Sequence, residues 1–110
     1  MKRYCLALDL IDDAALIAEY EHMHKQVWPE ILASIKNAGI LDMKIYRLEN
    51  RLFMVMEVQD DFSFEAKNNA DNHHPKVQEW ETLMWKYQQP FPFAKSGEKW
   101  MLMQEIFSLI

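Results

Sequence analysis

At 110 residues, half of them apolar and 26% charged, the chain has the balance of one folded core rather than of a disordered segment, and residues 1–110 are expected to form a single domain. A formal charge of −5, from 12 Lys and Arg against 17 Asp and Glu, makes nucleic acid a poor partner, because phosphate binding draws on clustered basic side chains. The lone Cys5 forbids an internal disulfide and fits a reducing cytoplasm, and no run approaches the roughly 18 apolar residues of a membrane span.

From the N-terminus, Tyr4, Leu6, Leu8 and Leu10 alternate with Cys5, Ala7 and Asp9. That period of two predicts a strand over residues 3–10. The acid at Asp9 interrupts the run, so it lacks the unbroken apolar stretch of a secretion signal. Asp12 or Asp13 then offers an N-cap to a helical stripe of Leu16, Tyr20, Met23, Val27, Ile31, Ile35 and Ala38, closed by Gly39. Pro29 removes one helical hydrogen bond within the stripe, which predicts a kink or restart near Val27–Trp28.

Residues 43–48 and 52–58 read as two strands around the polar turn Glu49-Asn50-Arg51. Asp60-Asp61 can cap a second helix to about Ala70, Asp71–Pro75 interrupts it, and helical spacing resumes over Lys76–Gln88. After a loop carrying Pro90 and Pro92, Trp100–Phe107 alternates as a closing strand. The order β-α-β-β-α-β predicts an α+β, ferredoxin-like fold, an antiparallel four-stranded sheet with both helices on one face. Met54, Met56, Met101 and Met103 lie on strands whose two sides are both apolar, and they are expected to line the sheet face away from the helices. A second copy covering the free face, giving a homodimer, is the expected solution.

Tyr20 and His24 are four apart, one helical turn, on the stripe that faces the sheet. An ionisable ring there is either a packed residue with one internal partner or the edge of a pocket for a small polar ligand. His22 stands about 200° from His24 around a regular helix, so the two cannot chelate one metal. His73-His74 has no Cys or carboxylate at ligand spacing, which argues against zinc. Trp80 next to Glu81 suits a sugar, the indole covering a C–H face while the acid accepts from hydroxyls. Dinucleotide, phosphate-loop, zinc-protease and nucleophile motifs are all missing. The remaining chemistry is acid–base work without a cofactor or metal, or none at all.

Glu19–Glu30 resembles the Y-x-x-x-H-x-x-x-W-P-E signature of the L-rhamnose mutarotase family. The likeness continues through Ile45-Tyr46, Leu52-Phe53, Gln78-Glu79-Trp80 and Met103–Phe107. It implies a dimeric, cytoplasmic ferredoxin-like enzyme of the dimeric α/β-barrel type, acting on a monosaccharide by interconverting the α and β anomers. By the same resemblance His24 is the proton-transfer residue, Tyr20 binds the sugar, and Trp80 is the first of two family tryptophans. Glu81 replaces the second tryptophan and Met43 replaces a substrate-contacting tyrosine, while Asn72–Pro75 has no match in the pattern. The catalytic position is retained and two sugar-reading positions differ, which makes L-fucose a candidate beside L-rhamnose. The competing expectations are a small monooxygenase or isomerase of the same fold and a ligand-sensing module without catalysis.

Overall fold

A computed structural model describes residues 1–110. The elements in order are β1 (Lys2–Leu10), α1 (Ala14–Met23), α2 (Pro29–Asn37), β2 (Ile40–Leu48), β3 (Arg51–Val58), α3 (Phe64–Asn72), α4 (Pro75–Met84), β4 (Gln88–Gln89) and β5 (Met101–Leu102). The sheet is antiparallel with β1 and β3 at its centre, β2 beyond β3, and both β4 and β5 on the far side of β1. The fold is therefore the expected α+β arrangement, with the fourth strand position divided between two short segments. β4 pairs with Asp9 and Leu10, and β5 with Leu6 and Ala7.

Both long helical patterns are split, and by the same device. A residue before proline is driven out of helical geometry, while proline itself suits the first helical position. Trp28 is extended (φ −57°, ψ 138°) ahead of Pro29, and His74 (φ −110°, ψ 106°) ahead of Pro75. The expected kink at Val27–Trp28 is thus a full break. Asp13 caps α1 through a bond from the Leu16 amide at 3.0 Å. The cap of α3 is Ser63, not Asp60 or Asp61; the Ala66 amide donates to its hydroxyl at 3.2 Å, and Asp60 instead pairs with the N-terminal amine. Gly39, at φ +91°, takes the chain from α2 into β2.

All four helices cover one face of the sheet. The core on that face has two parts: Leu10 and Leu52 pack with Tyr20, Ile31, Val77, Trp80, Met84 and Tyr87, while Leu6, Met54, Met56 and Val58 pack with Ile40, Ile35, Phe62 and Phe64. Met54 and Met56 are accordingly helix-side residues, which corrects their placement on the free face. They share the parity of Leu52 and Val58, which strand alternation turns the same way. The outer face carries Cys5, Ala7, Phe53, Val55 and Tyr46 instead, with Ala7, Phe53 and Tyr46 in one cross-strand row. The closing strand is also shorter than expected. Met103 still bonds the Cys5 carbonyl at 2.8 Å, but residues 104–110 have no regular structure, and Ile106, Phe107, Leu109 and Ile110 are at least 76% exposed.

Candidate active site

The break between α1 and α2 determines where His24 stands. α1 ends at Met23, and His24 is its C-cap (φ −80°, ψ −5°). Its backbone N–H reaches the Tyr20 and Glu21 carbonyls at 3.3 and 3.2 Å. Its ring Nδ1 lies 2.8 Å from the same Tyr20 carbonyl. A carbonyl only accepts, so Nδ1 carries the hydrogen and donates it. In the neutral ring Nε2 is then the free lone pair. The ring is held on its faces as well. Tyr20 lies 4.3 Å away between centroids, Trp80 meets the ring edge-on at 5.7 Å, and Trp28 meets Trp80 at 5.0 Å.

The Tyr20, His24 and Trp80 rings border a cleft of about 1090 Å³ between the helix layer and the sheet. All five residues singled out from the sequence, Tyr20, His24, Met43, Trp80 and Glu81, line it. They come from four places in the chain. Tyr20 is in the last turn of α1, His24 just after it, Met43 on the inward side of β2, and Trp80 and Glu81 on α4. Trp28 props Trp80 and is not itself a wall of the cleft.

Burial sets the protonation of the two central groups. It pushes the Tyr20 phenol up to about 12, with the neighbouring Gln88 side chain opposing and the Glu81 charge adding to the rise. Tyr20 is therefore a neutral hydroxyl at any physiological pH. The His24 imidazole is lowered from its ordinary value near 6.5 by burial, against the opposing pull of the Tyr20 carbonyl. Its neutral form predominates at pH 7.

Two lining residues escaped the sequence reading. Lys99 bonds the Glu81 carboxylate at 2.7 Å and the Glu81 carbonyl at 2.9 Å, and sits 4.5 Å above the Trp85 ring. Its side chain is 9% exposed, so Glu81 is held at the cleft by an almost sheltered cation. Nothing local in Gly97-Glu98-Lys99 signals this, because the pairing spans 18 residues. Gln88 falls where helical spacing was expected to continue, but α4 stops at Met84 and residue 88 begins a strand. It is buried, and its Oε1 accepts no hydrogen bond, an omission that costs on the order of 1–3 kcal/mol.

The other histidines serve local structure. His22 is exposed on α1. His73 Nδ1 donates to the Asn69 carbonyl at 2.7 Å, and His74 caps α4 by accepting from the Val77 amide at 3.4 Å. Trp85 is 39% exposed and packs on Lys99 rather than in the core. Glu105 lies in the exposed tail.

A family model described as L-rhamnose mutarotase matches residues 3–109. The L-fucose mutarotase of Xanthomonas campestris pv. campestris is 47% identical over 111 residues, covering 99% of this chain and 89% of that relative. Among solved structures, an L-rhamnose mutarotase from Formosa agariphila aligns over the whole of both chains with a TM-score of 0.74 at 20% identity. Tetracenomycin F2 cyclase from Streptomyces glaucescens aligns over all of this chain and 98% of its own with a TM-score of 0.63 at 18% identity. At such identities the two structures establish the fold alone.

Proposed function

Because the chain belongs to the L-rhamnose mutarotase family, an isomerase family acting on carbohydrates, we propose that it interconverts the α and β anomers of a 6-deoxyhexose, L-fucose foremost, with His24 as its proton carrier. The observation that carries this reading is the state of one imidazole. Nδ1 is committed to the Tyr20 carbonyl and Nε2 is free, in a cleft that also offers an indole, a phenol and a carboxylate.

The chemistry follows from that state. Nε2 takes the proton from the sugar O1 hydroxyl. As the O1 electrons form the aldehyde, the C1–O5 bond breaks and O5 receives the proton that Nε2 carried. The open chain rotates about C1–C2 and closes on its other face by the same steps in reverse. Protons balance, and no electron is gained or lost. An imidazole carries protons in both directions, a contribution typically worth about 10²–10⁴-fold. Trp80 covers the apolar face of the sugar, while Tyr20 and the Lys99-held Glu81 meet its hydroxyls.

Met43 and Glu81, in place of two aromatic residues, support the choice of sugar. They make the cleft less aromatic and add an acceptor suited to an axial hydroxyl. The 47% identical relative bears the name L-fucose mutarotase, which supports the same choice. Exchange NMR on a panel of 6-deoxyhexoses tests it. L-fucose is expected to exchange at least as fast as L-rhamnose. A clear preference for L-rhamnose, with Glu81→Trp nearly neutral, refutes the assignment. Enhanced exchange of no sugar refutes the function.

We further read residues 1–110 as one mutarotase domain working as a homodimer in the cytoplasm. The apolar outer sheet face and the exposed apolar tail support the dimer. No helix is long and apolar enough to cross a membrane.

A further inference from the structure

Gln88 is the only buried polar residue in the chain, 5% exposed, and its Oε1 is the one buried side-chain polar atom without a hydrogen-bond partner. Folded proteins rarely leave such an acceptor unpaired. Its placement has a clear cause. β4 pairs Gln88 with Leu10 and Gln89 with Asp9, so strand alternation turns Gln88 to the helix side and Gln89 away from it. At that position a leucine or methionine would join the cluster of Leu10, Tyr20, Met84 and Tyr87 and leave nothing unsatisfied. The chain places a carboxamide there, on the wall of the cleft that holds His24 and Trp80. The amide lies beside the Tyr20 phenol, whose ring is tilted against His24 at 4.3 Å between centroids.

Resting on the mutarotase reading of this cleft, we propose that Gln88 is a sugar-specificity residue, whose carboxamide accepts a hydrogen bond from a ring hydroxyl of the bound 6-deoxyhexose beside Tyr20. The ligand chemistry follows from the missing partner. An unpaired acceptor calls for a donor, and a sugar hydroxyl brings one, whereas a carboxylate or a C–H face does not. The terminal torsion of a glutamine side chain is broad, so the amide turns its oxygen toward the hydroxyl without moving β4. The contact fixes which ring face is presented to His24, and a sugar lacking that hydroxyl leaves the acceptor unpaired, which is how a polar site rejects an analogue.

The test uses Gln88→Leu, with Gln88→Met as a second variant of closer shape should leucine disturb folding. Three quantities are compared with wild type: the dissociation constant for L-fucose by NMR titration, the concentration dependence of anomer exchange, and the melting temperature. Both constants for L-fucose are expected to rise about 3- to 10-fold, the scale of one lost hydrogen bond, with KM carrying the larger part of the loss. The melting temperature should hold or rise, since an unpaired acceptor is removed. Among 2-, 3- and 4-deoxy-L-fucose, the analogue that wild type handles worst relative to L-fucose should lose that penalty in the variant. An unchanged dissociation constant and KM with a higher melting temperature overturns the proposal, as does a deoxy penalty that persists in the variant. Wild type that binds L-fucose but does not speed exchange refutes the mutarotase reading, while the binding comparison still decides Gln88. Wild type that binds no 6-deoxyhexose overturns both.

Discussion

His24 is held by its neighbours more than by its helix. One carbonyl takes both its backbone and its ring N–H, and two aromatic rings fix the imidazole plane. Replacing it with Asn should leave the fold intact and lower anomer exchange by about 10²-fold or more. The exposed His22→Ala serves as a control near wild type, and retention of full exchange by the His24 variant would reassign the proton to Tyr20. The pH dependence has a definite sign. Burial lowers the His24 pKa from its ordinary value near 6.5, and the working base is the neutral ring. Exchange at low sugar concentration should therefore be flat at neutrality and fall on an acid limb lying below that value. Stability runs the same way. Below about pH 6.5 the unfolded chain binds this proton and the folded chain resists it. The native state thus loses stability as pH falls toward the lower folded value, and His24→Asn should flatten the decline in melting temperature over that window. Tyr20 and His24 were legible as a pair because both belong to one helical turn. Gln88 and Lys99 were not, since each acquires its role from a partner far away in sequence.

The elements that matter most are the two prolines and the caps. Pro29 and Pro75 each begin a helix by driving the preceding residue extended, and the first break exposes the last turn of α1 to the cleft. A fold with an uninterrupted helix over residues 14–38 would leave His24 mid-helix, without the cap geometry that orients its ring. The Asp13 cap is a separable contribution. Asp13→Ala removes the acceptor for the Leu16 amide and should cost about 1 kcal/mol. For a chain of this size that corresponds to a melting temperature lower by about 4–8 °C, with exchange at 25 °C unchanged. A loss of exchange larger than the loss of folded protein would show that α1 positions the site through its N-terminus too. Asp13 was readable as a cap because its signal is local. Ser63 was passed over for Asp60-Asp61, since several polar residues in a row all qualify and the path of the chain out of β3 selects among them.

At the scale of the whole molecule, the free sheet face and the tail need a cover. Cys5, Ala7, Phe53, Val55 and Tyr46 form the outer surface of β1–β3–β2, and Ile106, Phe107, Leu109 and Ile110 stand in solvent. An exposed apolar surface of this kind marks an interface, and two copies related by a two-fold axis would bury it in both. Light scattering at micromolar concentration should give twice 13.2 kDa. Phe107→Asp should shift the population toward monomer, and a wild-type mass of one chain would refute the dimer. The sequence by itself determined the α+β order, the hairpin, the helix stop at Gly39 and the Tyr20–His24 pair, because periodicity, caps and prolines act within a few residues. Only the tertiary structure decided that Met54 and Met56 point inward, that β4 and β5 divide one sheet edge, and that Gln88 and Lys99 meet the cleft. Where both faces of a strand are apolar, side-chain alternation alone does not say which one the helices cover. That choice belongs to pairing and packing between segments tens of residues apart, to which no local pattern has access.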